Sequence, residues 1–239
     1  MSWKSYHTAD LRDKYLFKFL TLEHLNDFVK TGSIWFSRAT VFGDKMECVR
    51  IAELKKAKPN FDAIEERKKR FLISCWHRAN KESLALWDAY SETKEKRRTV
   101  ALRFNRLDLT SLLCNAKARN DTFFYKTKWI HGKVLYKNLI NASEESLTKS
   151  VLKHPSFRKE SAFEYENEYR FVIELTQPTL KEGYAYNIGN PKTLPFNILI
   201  NPLLNKEEYL NLKKTIIDSG FIKNLKDSAL TKWLKPELW

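Results

Sequence analysis

"FEYENEYRFVIE", residues 163–174, is the stretch on which the fold turns. As a β-strand, its side chains alternate between two faces. One face then carries Glu164, Glu166, Glu168 and Arg170, and the other Tyr165, Asn167, Tyr169, Phe171 and Ile173. The second face is built to pack. The first sets three carboxylates at i, i+2 and i+4 with Arg170 alone close at hand to balance them. Two explanations are open. In one, the acidic face is the wet side of an edge strand, or Glu166 and Glu168 form a network with Arg170 and another cation. In the other, the carboxylates line a cleft, where one glutamate stays ionised and its neighbour is tuned upward by repulsion and burial. Such a pair can orient a ribose hydroxyl, stabilise a developing oxocarbenium ion, or act as acid and base.

Outward from this strand, local signals predict mixed elements. "KYLFKFL" (14–20) is β-prone, and Thr21 caps a helix whose Leu22, Leu25, Phe28 and Val29 share a face, with Gly32 as its stop. "SIWFS" (33–37), "FLISCW" (71–76), "RTVALRF" (98–104) and "NILINP" (197–202) read as strands. Helices are predicted over 61–70, 81–92, 106–117, 143–153 and 206–220, and β-prone material over 122–136, broken at His131–Gly132. No regular βαβ alternation is present. The expectation is α+β: a single domain over residues 1–239, with a mixed or mostly antiparallel sheet and flanking helices.

Composition narrows the function classes. Of 239 residues, 43% are apolar, enough for a sizeable core. No run of eighteen apolar residues appears, so no membrane span is expected, and "MSWKSYHTADLRDKY" lacks the apolar region of a secretory signal. Three scattered cysteines (48, 75 and 114) suggest neither a disulfide framework nor a zinc knuckle, and a cytoplasmic location is expected. Histidines are dispersed, H-E-x-x-H and C-x-x-C are absent, and no metal is expected. With six glycines, no Gly-rich phosphate cradle is found, which argues against P-loop enzymes and classical dehydrogenases.

The net charge is +14, and it is regional. Residues 1–140 hold 29 Lys and Arg against 16 Asp and Glu, whereas 141–239 hold 14 against 13. Clusters lie at 55–58, at Arg67, Lys68, Lys69 and Arg70, at Lys94, Arg97 and Arg98, and at 125–129. Either this is a solvated surface, or its field attracts nucleic acid or a phosphorylated small molecule.

"CWHRANKESLALWDAY" (75–90) adds a second group of candidates. Cys75 and His77 share a strand face, while Glu82 and Ser83 enter the next helix. An i, i+2 Cys–His pair is not in itself an activation geometry, and a buried thiol beside a hydrogen-bonded imidazole is the commoner arrangement. Trp35, Trp76 and Tyr90 can stack on a planar ring.

Taken in order, "YLFKFLTLEHLNDFVKTGSIWFSRATVFGDKME", "CWHRANKESLALWDAYSE", "FRKESAFEYENEYRFVI" and the closing "NILINPLLNKEEYLNLKKTIIDSGFIKNLKDSAL" resemble a bacterial family known as domain of unknown function 2971. The resemblance runs over nearly the whole chain. "FGDKME" stands where the family commonly has Asp–Pro. It implies a grouping and no mechanism. The opening layout and the late E-x-E are also similar to ADP-ribosyltransferases. That resemblance implies NAD as cofactor, with Lys18 in the first-strand position, Ser37 in the second and Glu168 as the glutamate assisting glycosidic cleavage. Lys18 departs from the Arg or His of that superfamily.

The leading expectation is an intracellular bacterial enzyme acting on a nucleotide or nucleic acid, by ADP-ribosyl transfer or NAD cleavage, as a toxin or phage-defence effector. Glu168 would be catalytic, assisted by Glu166; His77, Glu82 and Arg170 would orient the site, and Trp35 and Tyr90 would supply ring contacts. The alternatives are a non-catalytic nucleic-acid-binding module that uses the basic clusters and aromatic stacking, or a regulatory subunit whose partner protein is encoded nearby.

Overall fold

The periodic stretches fold as their patterns require. The computed structural model describes residues 4–6, 14–44, 46–50, 53, 60–91, 99–117, 127–139 and 154–236. In chain order the elements are β1 (Lys4–Tyr6), β2 (Tyr15–Leu20), α1 (Leu22–Thr31), β3 (Ser33–Arg38), α2 (Phe61–Lys68), β4 (Phe71–Ala79), α3 (Leu84–Ala89), β5 (Val100–Asn105) and α4 (Arg106–Lys117). There follow β6 (Lys128–Lys133), β7 (Leu135–Lys137), β8 (Arg158–Glu160), β9 (Glu168–Glu174), β10 (Gly183–Asn187), β11 (Phe196–Ile200), α5 (Lys206–Asp218) and α6 (Ala229–Leu234). The class is α+β, with mostly antiparallel pairing and flanking helices. None of the described helices is long and apolar enough to cross a membrane.

Two compact units share the chain. The first comprises residues 1–12, 34–77 and 114–186, and the second 13–33, 78–113 and 187–239. In the second, β5 is flanked by β2 and β11, both antiparallel, with Phe17, Arg103 and Asn197 in one cross-strand row. Phe17, Phe19, Ala101 and Leu199 pack with Leu86 and Trp87 of α3. Thr21 caps α1 by accepting from the His24 amide, and Gly32 ends it in the left-handed conformation at φ 65°. A Cβ on Gly32 would collide with the Gly189 carbonyl. Gly32→Ala is therefore expected to cost about 2 kcal/mol or more, against a gain of under ~1 kcal/mol at an unstrained site, as urea melts would measure.

In the first unit, β9 lies between β4 and β6, antiparallel to both. β1 adds to β6 in parallel, and β3 pairs with β4. β9 is thus central rather than an edge strand, and five of its seven residues are buried. Ile73, Ile130 and Val172 form one core row with Phe157 and Cys48 against them.

Several boundaries differ from expectation. Residues 163–174 are not one strand: Ser161–Glu166 winds as a short 3₁₀ segment, Asn167 turns into the left-handed region at φ 41°, and β9 begins at Glu168. β6 runs through His131–Gly132 instead of breaking there, because Gly132 pairs opposite Arg170 and adds no side chain to that crowded face. α3 is shorter than 81–92, since the Ser83 hydroxyl accepts from the Leu86 amide and starts the helix after itself. The helix expected over 143–153 lies outside the described residues.

Candidate acid–base site

The kink at Asn167 creates the site. In a flat strand, side chains at i and i+2 are about 7 Å apart. The Asn167 amide donates to the Glu164 carbonyl at 3.1 Å, which holds the turn closed. Asparagine is one of the few residues other than glycine that visits this conformation readily. Glu166 and Glu168 are thereby drawn together and share a hydrogen bond.

β8 supplies a cation between them. It pairs in parallel with β7, and places Lys159 beside Tyr136. Lys159 Nζ donates to Glu166 Oε2 at 2.5 Å and to Glu168 Oε1 at 3.4 Å, with the Phe163 ring 4.6 Å from the ammonium. The Glu168 amide donates to the Tyr136 hydroxyl at 2.8 Å.

Arg170 closes the network from below. It is fully buried; its Nε donates to Glu168 Oε2 at 2.5 Å, its Nη1 to the Ser156 carbonyl at 2.9 Å, and its Nη2 to Glu47. Glu47–Arg170–Glu168–Lys159–Glu166 is one continuous chain of charge. Of the open explanations for the acidic face, the ion network is present, and Lys159 is its second cation. Glu164 is exposed and takes no part in these bonds. Cys48 and Asn167 are the only non-glycine residues at positive φ among the described residues, and each adjoins a carboxylate of this chain. Such conformations cost on the order of 1–3 kcal/mol and persist where their surroundings over-determine them.

The two glutamates titrate in opposite directions. Burial pushes Glu166 up to about 7, reinforced by its hydrogen bond to Glu168 and by that carboxylate's charge, against the pull of Lys159. Burial alone would also raise Glu168. Arg170, the hydrogen bond from Glu166 and Lys159 outweigh it and hold Glu168 down to about 2. At neutral pH Glu168 is therefore ionised, while Glu166 sits near its midpoint and is about half protonated. Lys159 is raised, because the carboxylates outweigh its burial. Tyr136 is raised by burial and by the Glu168 charge, and stays protonated. Cys48 is pushed up to about 11, chiefly by burial, so it is an inert thiol.

Linkage gives these shifts a sign. Glu166 lies above its ordinary 4.5 when folded, so its contribution is complete below that value and is lost as pH rises through about 7. Glu168 is the converse: its contribution is present above 4.5 and is lost as pH falls through about 2. Urea melts of the wild type are expected to lose at most about 2 kcal/mol from Glu166 between pH 5 and 7. Glu166→Gln should flatten that slope.

The residues singled out from sequence separate in the fold. Glu166, Glu168, Arg170 and His77 come together, with His77 directly opposite Glu168 and its Nδ1 2.8 Å from the Glu166 carbonyl. Ser37 lies on the same sheet face, in register with Ile73 and so about 13 Å along the strands from the Glu168 row. Trp35 is 49% exposed and packs over Gly183. Lys18, Glu82 and Tyr90 belong to the second unit. There Tyr90 lies against Phe19 at 5.3 Å, and Glu82, raised by burial, accepts from the Trp87 indole at 3.1 Å. Trp76 is buried with its indole on Ser74, which leaves no face for a ligand ring.

The Arg67–Arg70 cluster is engaged internally. Arg67 pairs with Glu53 at 2.5 Å and donates to the Cys48 carbonyl, and Lys68 is 1% exposed and pairs with Glu65. Lys69 pairs with Glu66, and Arg70 donates to the Leu175 carbonyl. Lys94, Arg97 and Arg98 lie outside the described residues.

Glu47, Tyr136 and Lys159 do not stand out in the sequence. Lys159 has one usable signal there, as the nearest cation before the paired glutamates in "FRKESAFEYENE". Glu47 and Tyr136 have none, being 123 residues from Arg170 and 32 from Glu168. No family model, no curated protein and no solved structure matches the chain.

Proposed function

We propose that this chain is an enzyme whose proton-transfer group is Glu166, with Glu168 as the fixed anion that tunes it. The observation that carries the proposal is the Glu166–Glu168 pair gathered on one ammonium, that of Lys159, with only Glu168 also on Arg170, so that burial raises Glu166 while the cations hold Glu168 down. Separated environments for two neighbouring acids are a recurring basis for acid–base roles at neutral pH. Glu166 is held by Lys159 alone of the two cations, whereas Glu168 is held by both Arg170 and Lys159. This reverses the roles expected from sequence, where Glu168 is the catalytic group.

The net charge of +14 favours a nucleotide or nucleic acid as substrate. NAD cleavage or ADP-ribosyl transfer balances on this site. The bond from ribose C1′ to the nicotinamide nitrogen breaks, and its electron pair leaves with neutral nicotinamide. A water or acceptor hydroxyl then bonds to C1′, and its proton passes to ionised Glu166. Incubation with labelled NAD, RNA, DNA and protein tests the assignment: nicotinamide release or label transfer by the wild type, lost in Glu166→Gln, supports it. Release that is equal in wild type and variant removes Glu166 from the chemistry. An effector role in toxin action or phage defence, inside a bacterial cell, belongs to the same proposal, as does the grouping with the family of unknown function.

The charge also favours a second reading, a nucleic-acid-binding module. Its affinity should fall steeply with salt. Because Arg67–Arg70 is paired internally, charge reversal at Lys94, Arg97 and Arg98 is the more direct probe of it.

A further inference from the structure

We infer that His77 is the positioning residue of the carboxylate pair, holding the Glu166–Asn167 peptide so that the two glutamates stay in contact. The inference rests on the acid–base reading of Glu166 and Glu168. His77 faces Glu168 across the β4–β9 ladder, where opposite side chains start about 5 Å apart. Its Nδ1 lies 2.8 Å from the Glu166 carbonyl oxygen. A carbonyl only accepts, so Nδ1 carries the hydrogen and the tautomer of the neutral ring is fixed.

That bond completes a clamp. The Glu166–Asn167 peptide is pinned at its oxygen by His77 and at its N–H by the Glu164 carbonyl. The Asn167–Glu168 peptide is pinned at its N–H by the Tyr136 hydroxyl. The left-handed torsion of Asn167 lies between these two fixed peptides. Released on the His77 side, the chain can relax towards extended geometry, in which Glu166 and Glu168 separate to about 7 Å. The charged and titratable groups around the pair are Lys159 on β8, Tyr136 on β7, Arg170 on β9, Glu47 from the loop after β3, and Cys75 and His77 on β4. Protonation of His77 preserves its donor at Nδ1 and makes the bond charge-assisted.

The test is a carbon-13 titration of the glutamate side-chain carboxyls, with the Glu166 signal assigned from Glu166→Gln. His77→Ala should move the Glu166 midpoint down by at least about one pH unit, towards an isolated carboxylate. His77→Asn, whose amide can replace the Nδ1–H donor, should keep it within a few tenths, whereas His77→Gln places its donor further out and should behave like Ala. Where His77→Ala does not fold, the Asn–Gln contrast carries the test. A simple packing role would lower the melting temperature of these variants and leave the midpoint in place; that result overturns the inference, as does His77→Asn shifting as far as Ala. A wild-type midpoint near the ordinary 4.5 overturns the acid–base reading beneath it, and with it this inference.

Discussion

Replacing Arg170 with methionine is expected to cost about 4 kcal/mol, a fall in melting temperature on the order of 10 °C. Its guanidinium is fully buried and is shared between Glu47 and Glu168, with a third bond to the Ser156 carbonyl. Methionine fills much of the same volume but removes the charge and the three hydrogen bonds, that to the Ser156 carbonyl included. Two buried carboxylates are then left with Lys159 as their cation, and Lys159 reaches Glu168 alone of the two within ion-pair distance. Breaking a buried ion network by deleting one member typically costs more than the network contributes, because the remaining charges are uncompensated. The triple variant Arg170→Met, Glu47→Gln, Glu168→Gln should therefore recover part of the loss. A single Arg170→Met variant that melts within about 1 kcal/mol of wild type contradicts this description of the network.

The largest effect on activity is expected at Glu166. Removing a positioned acid–base group lowers rates by roughly 10²- to 10⁴-fold. Glu166→Gln should show that loss in nicotinamide release or label transfer while keeping its fold, since the amide preserves the shape and can still donate to Glu168. Acting as a base, Glu166 must be ionised, so wild-type turnover should rise with pH through about 7. Glu168→Gln should behave differently. It removes the neighbouring negative charge, so the rising limb moves to lower pH and activity is retained on the plateau. Collapse in Glu168→Gln with activity kept in Glu166→Gln would mean that Glu168, not Glu166, takes the proton.

Local patterns make much of the fold legible. Thr21 and Gly32 bound α1 because a capping hydroxyl and a left-handed glycine act within one turn of the helix. Arg106–Lys117 and the strands at Tyr15–Leu20 and Phe71–Ala79 follow from period and β-prone composition. β10, "GYAYN", escapes such a reading because its five residues carry too short an alternation to stand out. The site is legible only in part. The acidic spacing points to Glu166 and Glu168, and the strand register to His77. Yet alternation in 163–174 imitates one continuous strand, and the Asn167 turn that brings the glutamates together is a single torsion hidden inside it. The partners Glu47, Tyr136 and Lys159 enter through tertiary pairing, which no local period encodes.

The central claim is that burial and the ionised Glu168 beside it together raise Glu166 to titrate near neutral pH. Carbon-13 titration of the Glu166 carboxyl in wild type and in Glu168→Gln tests this most directly. The expected wild-type midpoint is near 7, falling in Glu168→Gln as the neighbouring charge is removed. A wild-type midpoint at the ordinary 4.5, or one unmoved by Glu168→Gln, contradicts it.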